Sequence, residues 1–167
     1  MKKTALFYSF NTGKSAKAGE KIAKHFEDKI DVINAENVTE DDFLKHDNLI
    51  ISCPTWFDGE LPNYWDEFVP ALEELDLKGK KAAIYGAGDQ IGYPENFVDA
   101  VGIMAGILKQ LGVEIVGYTS ASEYSFESSK ALDGDKFCGL ALDFENQAKL
   151  NEKRITDWCK QLKKEFN

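Results

Sequence analysis

The chain has 167 residues, a formal net charge of −9, and 43% hydrophobic and 29% charged residues. That suffices for one domain spanning residues 1–167 with its own core, and no run of about 18 apolar residues exists to cross a membrane. The acidic balance excludes nucleic acid, which needs a basic face, and favours basic protein partners.

The start, Met1-Lys2-Lys3-Thr4-Ala5-Leu6, is basic but lacks a sustained apolar segment, so it reads as a first strand rather than a signal peptide. Leu6-Phe7-Tyr8 is the apolar body of that strand, and Ser9 to Ser15 forms a hydroxyl- and glycine-bearing turn. A helix follows, with Ala18, Ile22 and Phe26 recurring every fourth residue. Such a helix start aims free backbone N–H groups and a positive dipole end above the sheet. With Asn11, Thr12 and Ser15 as added donors and Gly13 permitting close approach, it reads as a phosphate cradle or as an ordinary N-cap made by Asn11 or Thr12.

Ile30 to Asn34 is a short alternating strand, and Thr39-Glu40-Asp41-Asp42 opens a short helix in capping-box fashion. Asn48 to Cys53 is an apolar strand stopped by Pro54. A helix from Asn63 to about Leu75 carries Trp65, Phe68, Val69 and Leu72, and Lys81 to Gly86 is the fourth strand. Phe97, Val101, Met104, Ala105, Leu108 and Leu111 mark a long amphipathic helix that Gly112 stops. Val113 to Tyr118 is the fifth strand. Ser120 to Lys136 then breaks the alternation before Cys138 to Leu142 resumes it, so an insertion splits the fifth strand. That insert is either a tolerated surface loop or a partner-docking surface. The last helix carries Leu150, Ile155, Trp158, Leu162 and Phe166 on one face.

Strands alternating with helices predict a three-layer, doubly wound α/β fold with a five-stranded parallel sheet. Ligands of such sheets bind beyond the carboxyl ends of strands near the switch point, which singles out the loops after strands one, three and four. The third loop, Pro54-Thr55-Trp56-Phe57-Asp58-Gly59-Glu60-Leu61-Pro62, sets Trp56 where core burial is awkward. The fourth, Gly86 to Pro94, sets Tyr93 in a similar place. Two aromatics beside a phosphate cradle suit a flat conjugated ring between them. Two nucleotide motifs fit less well. A P-loop ending in Gly13-Lys14-Ser15 needs glycine where Tyr8 stands, and after Gly86 and Gly88 a dinucleotide fingerprint finds Gly92 one residue late. Three cysteines, Cys53, Cys138 and Cys159, never spaced C-x-x-C, point to a reducing cytoplasm and to neither zinc nor a redox dithiol. His25 and His46 have polar sequence neighbours and are expected to be solvated.

The chain resembles the flavodoxins, specifically the long-chain kind. The resemblance rests on Asn11-Thr12-Gly13-Lys14-Ser15, Pro54-Thr55-Trp56, Gly59-Glu60 and Gly88-Asp89-Gln90-Ile91-Gly92-Tyr93. Ser129-Lys130-Ala131-Leu132, Phe137 and Gly139 to Asp143 extend it over nearly the whole chain. It implies strand order 2-1-3-4-5, non-covalently bound FMN and low-potential one-electron transfer between redox proteins. By the same resemblance the phosphate lies on the loop of Phe10, Asn11, Thr12, Gly13, Lys14 and Ser15. Phe10 stands where the family pattern T-x-T-G-x-T has a hydroxyl, so Ser9, Asn11 or backbone is expected to replace one contact. Lys14 is expected to be solvated. Trp56 and Tyr93 match the aromatics on the two ring faces, within Pro54, Thr55, Phe57, Asp58 and Gly59 on one side and Gly88 and Asp89 on the other. Asp143 is expected near the ribityl chain, and the Phe57–Asp58 peptide is the one that would flip.

Between His46 and Lys78 there is no Lys or Arg, yet eight carboxylates fall there: Asp47, Asp58, Glu60, Asp66, Glu67, Glu73, Glu74 and Asp76. They would disfavour an anionic reduced flavin and would attract basic reductases and oxidases to a monomeric carrier. No nucleophile–base pair occurs in the three loops, so an electron carrier rather than an enzyme is expected. The alternatives are an FMN-dependent quinone or nitro reductase on the same fold, a phosphate-transferring P-loop protein, and a flavin-free interaction domain.

Overall fold

The structure is a computed structural model and describes residues 2–167; Met1, part of the expected first-strand approach, lies outside the described residues. In chain order the elements are β1 (Thr4–Tyr8), α1 (Gly13–His25), β2 (Asp31–Asn34), a 3-10 turn (Ala35–Asn37), α2 (Glu40–Leu44), β3 (Asn48–Ser52), α3 (Asn63–Leu72), β4 (Lys81–Ala87) and α4 (Asp99–Gln110). They continue with β5 (Glu114–Val116), β6 (Thr119–Ser120), β7 (Leu132–Asp133), β8 (Lys136–Phe137), β9 (Leu140–Leu142) and α5 (Ala148–Glu165). The main sheet is parallel in the order β2-β1-β3-β4-β5, as expected.

Alternation along the buried strands divides the core in two. Ala5, Phe7, Leu49, Ile51, Ala82 and Ile84 face Trp65 and Leu72 of α3 and Val101, Met104 and Leu108 of α4. Leu6, Tyr8, Ile50, Ala83 and Tyr85 face Ile22 of α1 and Ile155, Trp158 and Leu162 of α5. Helices cover both faces of the central strands, which is why those strands read as unbroken apolar runs.

The split of the last strand is physical. Gly117 takes φ +80° and turns the chain off the sheet, held by Trp158 Nε1 donating to its carbonyl (2.8 Å) and by its own N–H donating to Glu165 (2.7 Å). The insert then builds a small antiparallel sheet, β6-β8-β7. β5 pairs with Lys81–Ala83 of β4, and β9 returns to pair with Tyr85–Ala87 farther along. A Cβ on Gly139 would stand 2.1 Å from the Ile84 carbonyl oxygen, so only glycine admits this return.

Three expectations differ from the structure. Helix α3 ends at Leu72 rather than near Leu75. Pro70 lacks an N–H, Glu73 and Glu74 oppose the negative end of the helix dipole, and the tail tightens into three-residue turns. Phe97 precedes α4, whose N-cap Val98 is left-handed at φ +48°. His46 is fully buried, not solvated: its ring nitrogens lie 2.7 Å from the Asp42 carbonyl and 2.7 Å from Asp31. Polar sequence neighbours said nothing of that because the ring's partners lie on α2 and β2.

Candidate functional site

The loop after β1 is wound on one carbonyl. Ser9 O accepts from the Thr12 N–H (3.3 Å) and from Thr12 Oγ1 (2.8 Å), so Thr12 cannot cap α1 with its side chain. The first helical bond is Ala16 N–H to Thr12 O. The N–H groups of Gly13, Lys14 and Ser15 therefore find no acceptor among the described residues. No acidic side chain lies in the first turn to neutralise the dipole. Of the two sequence readings, the structure favours the open cradle over the ordinary N-cap.

The side-chain donors are arranged differently from expectation. Asn11 Nδ2 and Ser9 Oγ are both taken up by Glu36 (2.9 Å each). Phe10 is 49% exposed and leans on Tyr8, with ring centroids 5.1 Å apart. Lys14 pairs with Glu145 at 3.2 Å, both side chains mostly in water, and such a pair contributes about 0–1 kcal/mol.

The loop after β3 folds back on itself. Trp56 and Glu60 exchange both backbone hydrogen bonds (2.9 and 2.8 Å) across Phe57, Asp58 and Gly59. Two residues in that turn are left-handed, Gly59 at φ +94° and Phe57 at φ +50°. The latter is an outlier for an aromatic residue, at a cost of about 1–2 kcal/mol. Pro54 is buried, and Thr55 Oγ1 accepts from the Ala100 N–H (3.1 Å), tying the loop to α4. Trp56 stands edge-on to Tyr64 of α3, 5.8 Å between centroids, which fixes its plane from behind.

The loop after β4 is organised by two carboxylates. Asp89 accepts from the N–H groups of Gly92 (2.7 Å) and Ile91 (3.1 Å) and from Asn146 (2.8 Å). The Gly92 N–H, ahead of Asn146, holds the Asp89 carboxyl below the ordinary range. Asp143 is wholly buried and accepts from Gln90 N (3.1 Å), Gln90 Nε2 (2.7 Å), Glu145 N (3.1 Å) and Asn146 N (2.9 Å). Burial works against its charge, but the Asn146 side-chain amide (2.9 Å), followed by Gln90 and the backbone N–H groups, outweighs it and keeps the carboxyl below its ordinary value. Asp143 is thus a tether between the fourth loop and the turn before α5. Its carboxylate is occupied by these intramolecular donors.

Thr55, Trp56, Phe57, Gly88, Asp89, Tyr93 and Asn96 line a cleft of about 470 Å³ between the third and fourth loops. Tyr93 is 55% exposed and Phe57 65%, an uncommon cost for aromatics unless something covers them. The Asp89 N–H has no acceptor among the described residues and borders the cleft.

A model of the flavodoxin family matches residues 6–158. The chain belongs to the flavodoxin family. A flavodoxin of Trichodesmium erythraeum is 45% identical over 169 residues, covering 99% of each chain. One of Synechocystis is 42% identical, over 98% of this chain and 97% of the other. Among solved structures, a Fusobacterium nucleatum flavodoxin bound to flavin mononucleotide is 33% identical, covers all of both chains and superposes with a TM-score of 0.94.

Of the residues expected at the site, the structure brings the loop of Phe10 to Ser15 and the two aromatic loops to the carboxyl edge of the sheet. Glu36, Asn96, Gln90 and Asn146 were missed. Glu36 was detectable in principle: β2 lies beside β1, so the turn ending β2 must border the first loop. Asn146 had no sequence signal beyond its nearness to Asp143. The cysteines are buried and free, with burial pushing the Cys159 thiol up to about 12 and Cys53 higher still, so neither offers a thiolate.

Proposed function

We propose that this flavodoxin-family chain holds FMN non-covalently and carries single electrons at low potential between protein partners, without a substrate of its own. What carries the reading is the juxtaposition of three unpaired amides at an uncapped helix start with a cleft walled by Trp56 and Tyr93. The flavin's phosphate would sit on the amides of Gly13, Lys14 and Ser15 near Thr12 and Asn11, with Phe10 at the margin. Its ring would lie between Trp56 and Tyr93, bordered by Pro54, Thr55, Phe57, Asp58, Gly59, Gly88 and Asp89. FMN supplies the one-electron chemistry. The chain's residues bind it, screen its faces from water and set the charge around it. A relative of the same family solved with flavin mononucleotide supports this fit.

The eight carboxylates between Asp47 and Asp76 are all exposed, and none has an ion-pair partner among the described residues. A carboxylate at about 8 Å disfavours a new negative charge by roughly 0.5–2 kcal/mol. At about 1.4 kcal/mol per ~59 mV, a carboxylate at that distance lowers a one-electron potential by on the order of 20–90 mV, whereas one such as Asp47, at the amino end of β3, acts from much farther away. Asp58 and Glu60 belong to the same loop as Trp56, which walls the cleft. The same field would steer basic partners to the exposed edge, with strong salt dependence. No helix among the described residues is long and apolar enough to cross a membrane. The free cysteines support a protein at work in a reducing cytoplasm, as a single-domain monomer.

The test is an anaerobic reductive titration of the FMN-loaded protein followed by its visible spectrum. Two resolved one-electron steps, the second at much lower potential, are expected. A single concerted two-electron bleach would overturn the carrier reading in favour of a reductase.

A further inference from the structure

The turn that ends β2 grips the first loop at three consecutive residues. Ser9 Oγ donates to Glu36 Oε1 and Asn11 Nδ2 to Glu36 Oε2, each at 2.9 Å, so one carboxylate clasps both side chains. Between them, the Phe10 N–H points at Asn34 Oδ1 (3.4 Å), which also accepts the Glu36 N–H (3.2 Å). Ser9 is completely buried, so its hydroxyl has few alternatives to this acceptor. Glu36 itself forms no ion pair among the described residues. It stands as a carboxylate without an ion-pair partner among the described residues, beside a loop whose Gly13, Lys14 and Ser15 N–H groups are unpaired.

We propose that Glu36 is a positioning residue for the phosphate loop: it holds Ser9 and Asn11 by their side chains and thereby keeps the amides of Gly13, Lys14 and Ser15 aimed at one anion. The proposal rests on the FMN reading above. Two physical effects oppose each other here. The clasp orders a loop whose residue 10 is an apolar, half-exposed Phe with no side-chain hydrogen bond to offer. The charge repels a phosphate. The ordering effect wins, because the two hydrogen bonds are direct, whereas Glu36 is solvent-exposed and its field at the cradle is screened. Glu36 also lies close enough to Tyr64 to add to the upward shift of that phenol, whose main cause is burial. Tyr64 in turn backs Trp56.

The experiment compares FMN with riboflavin, which has the same ring but no phosphate, and with inorganic phosphate as a competitor of FMN. All are titrated into apoprotein and followed by flavin fluorescence. Glu36→Ala should weaken FMN by roughly tenfold, raise the inorganic phosphate concentration needed to compete, and leave riboflavin affinity unchanged. Glu36→Gln, which keeps an acceptor for Asn11 and a donor for Ser9 Oγ without the charge, should restore FMN affinity to the wild-type value or above it. Asn11→Ala, at an exposed position that cannot unfold the chain, should lose FMN affinity by a smaller factor in the same phosphate-specific way. Equal weakening of FMN and riboflavin by Glu36→Ala would overturn the proposal and assign Glu36 to general stability. So would Glu36→Ala with unchanged FMN affinity, or failure of Glu36→Gln to restore it. Wild-type protein that binds neither flavin would instead overturn the FMN reading itself.

Discussion

Replacing Asp143 by Ala isolates the tether that holds the fourth loop. Gln90 is buried, and both its N–H and its side-chain amide donate to this carboxylate. Buried donors left without an acceptor cost about 1–3 kcal/mol each, so Asp143→Ala should lose on the order of 3–5 kcal/mol of stability at neutral pH. The Glu145 and Asn146 N–H groups add less, since their turn is partly open and water can replace the carboxylate. The pH dependence has a definite sign. Asp143 and Asp89 are both held below the ordinary carboxyl value in the folded chain. Their contribution is complete above the unfolded value near pH ~4 and is lost as pH falls through the lower folded values. Urea unfolding of the apoprotein, followed by tryptophan fluorescence at neutral pH and across the acid range, measures both effects. The variant should start less stable and lose less on acidification than wild type. A neutral-pH loss below about 1 kcal/mol, the size of an ordinary substitution, would refute the tether.

Trp56→Ala and Tyr93→Ala should each weaken FMN by about tenfold or more, from stacking worth roughly 0.5–1.5 kcal/mol plus the area it covers; fluorescence titration of apoprotein checks this, and unchanged affinity in both would remove the ring site. Phe57 sits left-handed with its side chain mostly in water. Phe57→Gly should therefore melt at or above the wild-type temperature, and β-branched Phe57→Val about 2–4 °C lower, the shift expected per kcal/mol for a chain of this size. Trp65 is fully buried and its Nε1 donates to the Ser52 carbonyl at 2.9 Å. Its change to Ala should cost about 3–5 kcal/mol by denaturant unfolding, and a cost near zero would mean that the α3 side of the core is misread.

The sheet order and layers were legible because the strands are covered on both faces and the helices show regular spacing, as with Ile22 in α1 or Met104 and Leu108 in α4. The same legibility extended to the two aromatic loops, since a Trp framed by Pro54 and Gly59 has no place on a periodic face. What could not be read were contacts between segments distant in sequence. His46 was misplaced because Asp31, which takes its Nε2, lies on β2. The tether from Asp143 to Gln90 was hidden too, because nothing in Leu140-Ala141-Leu142-Asp143 points to a partner 53 residues away. Strand ends next to special φ values were also hidden: Gly117 was legible as glycine but not as the point where the fifth strand leaves the sheet.

These corrections change how the site must hold an anion. Among the described residues the first loop holds one cation, Lys14, weakly paired with Glu145 in water, while the neutral side chains of Ser9 and Asn11 are drawn to Glu36. What is left for a phosphate is the dipole of α1 and three amides, with the Ser15 hydroxyl beside them. Binding by oriented amides depends on geometry far more than binding by a mobile lysine would, because an amide a few tenths of an ångström out of line loses much of its hydrogen bond. An acidic surface makes that choice coherent. Fixed dipoles act over one helical turn and add no net positive charge, so they can hold the phosphate without cancelling the field of the carboxylates that flank the ring. A cationic clamp would secure the cofactor at the expense of the low potential, whereas an amide cradle kept in place by its neighbours separates the two tasks.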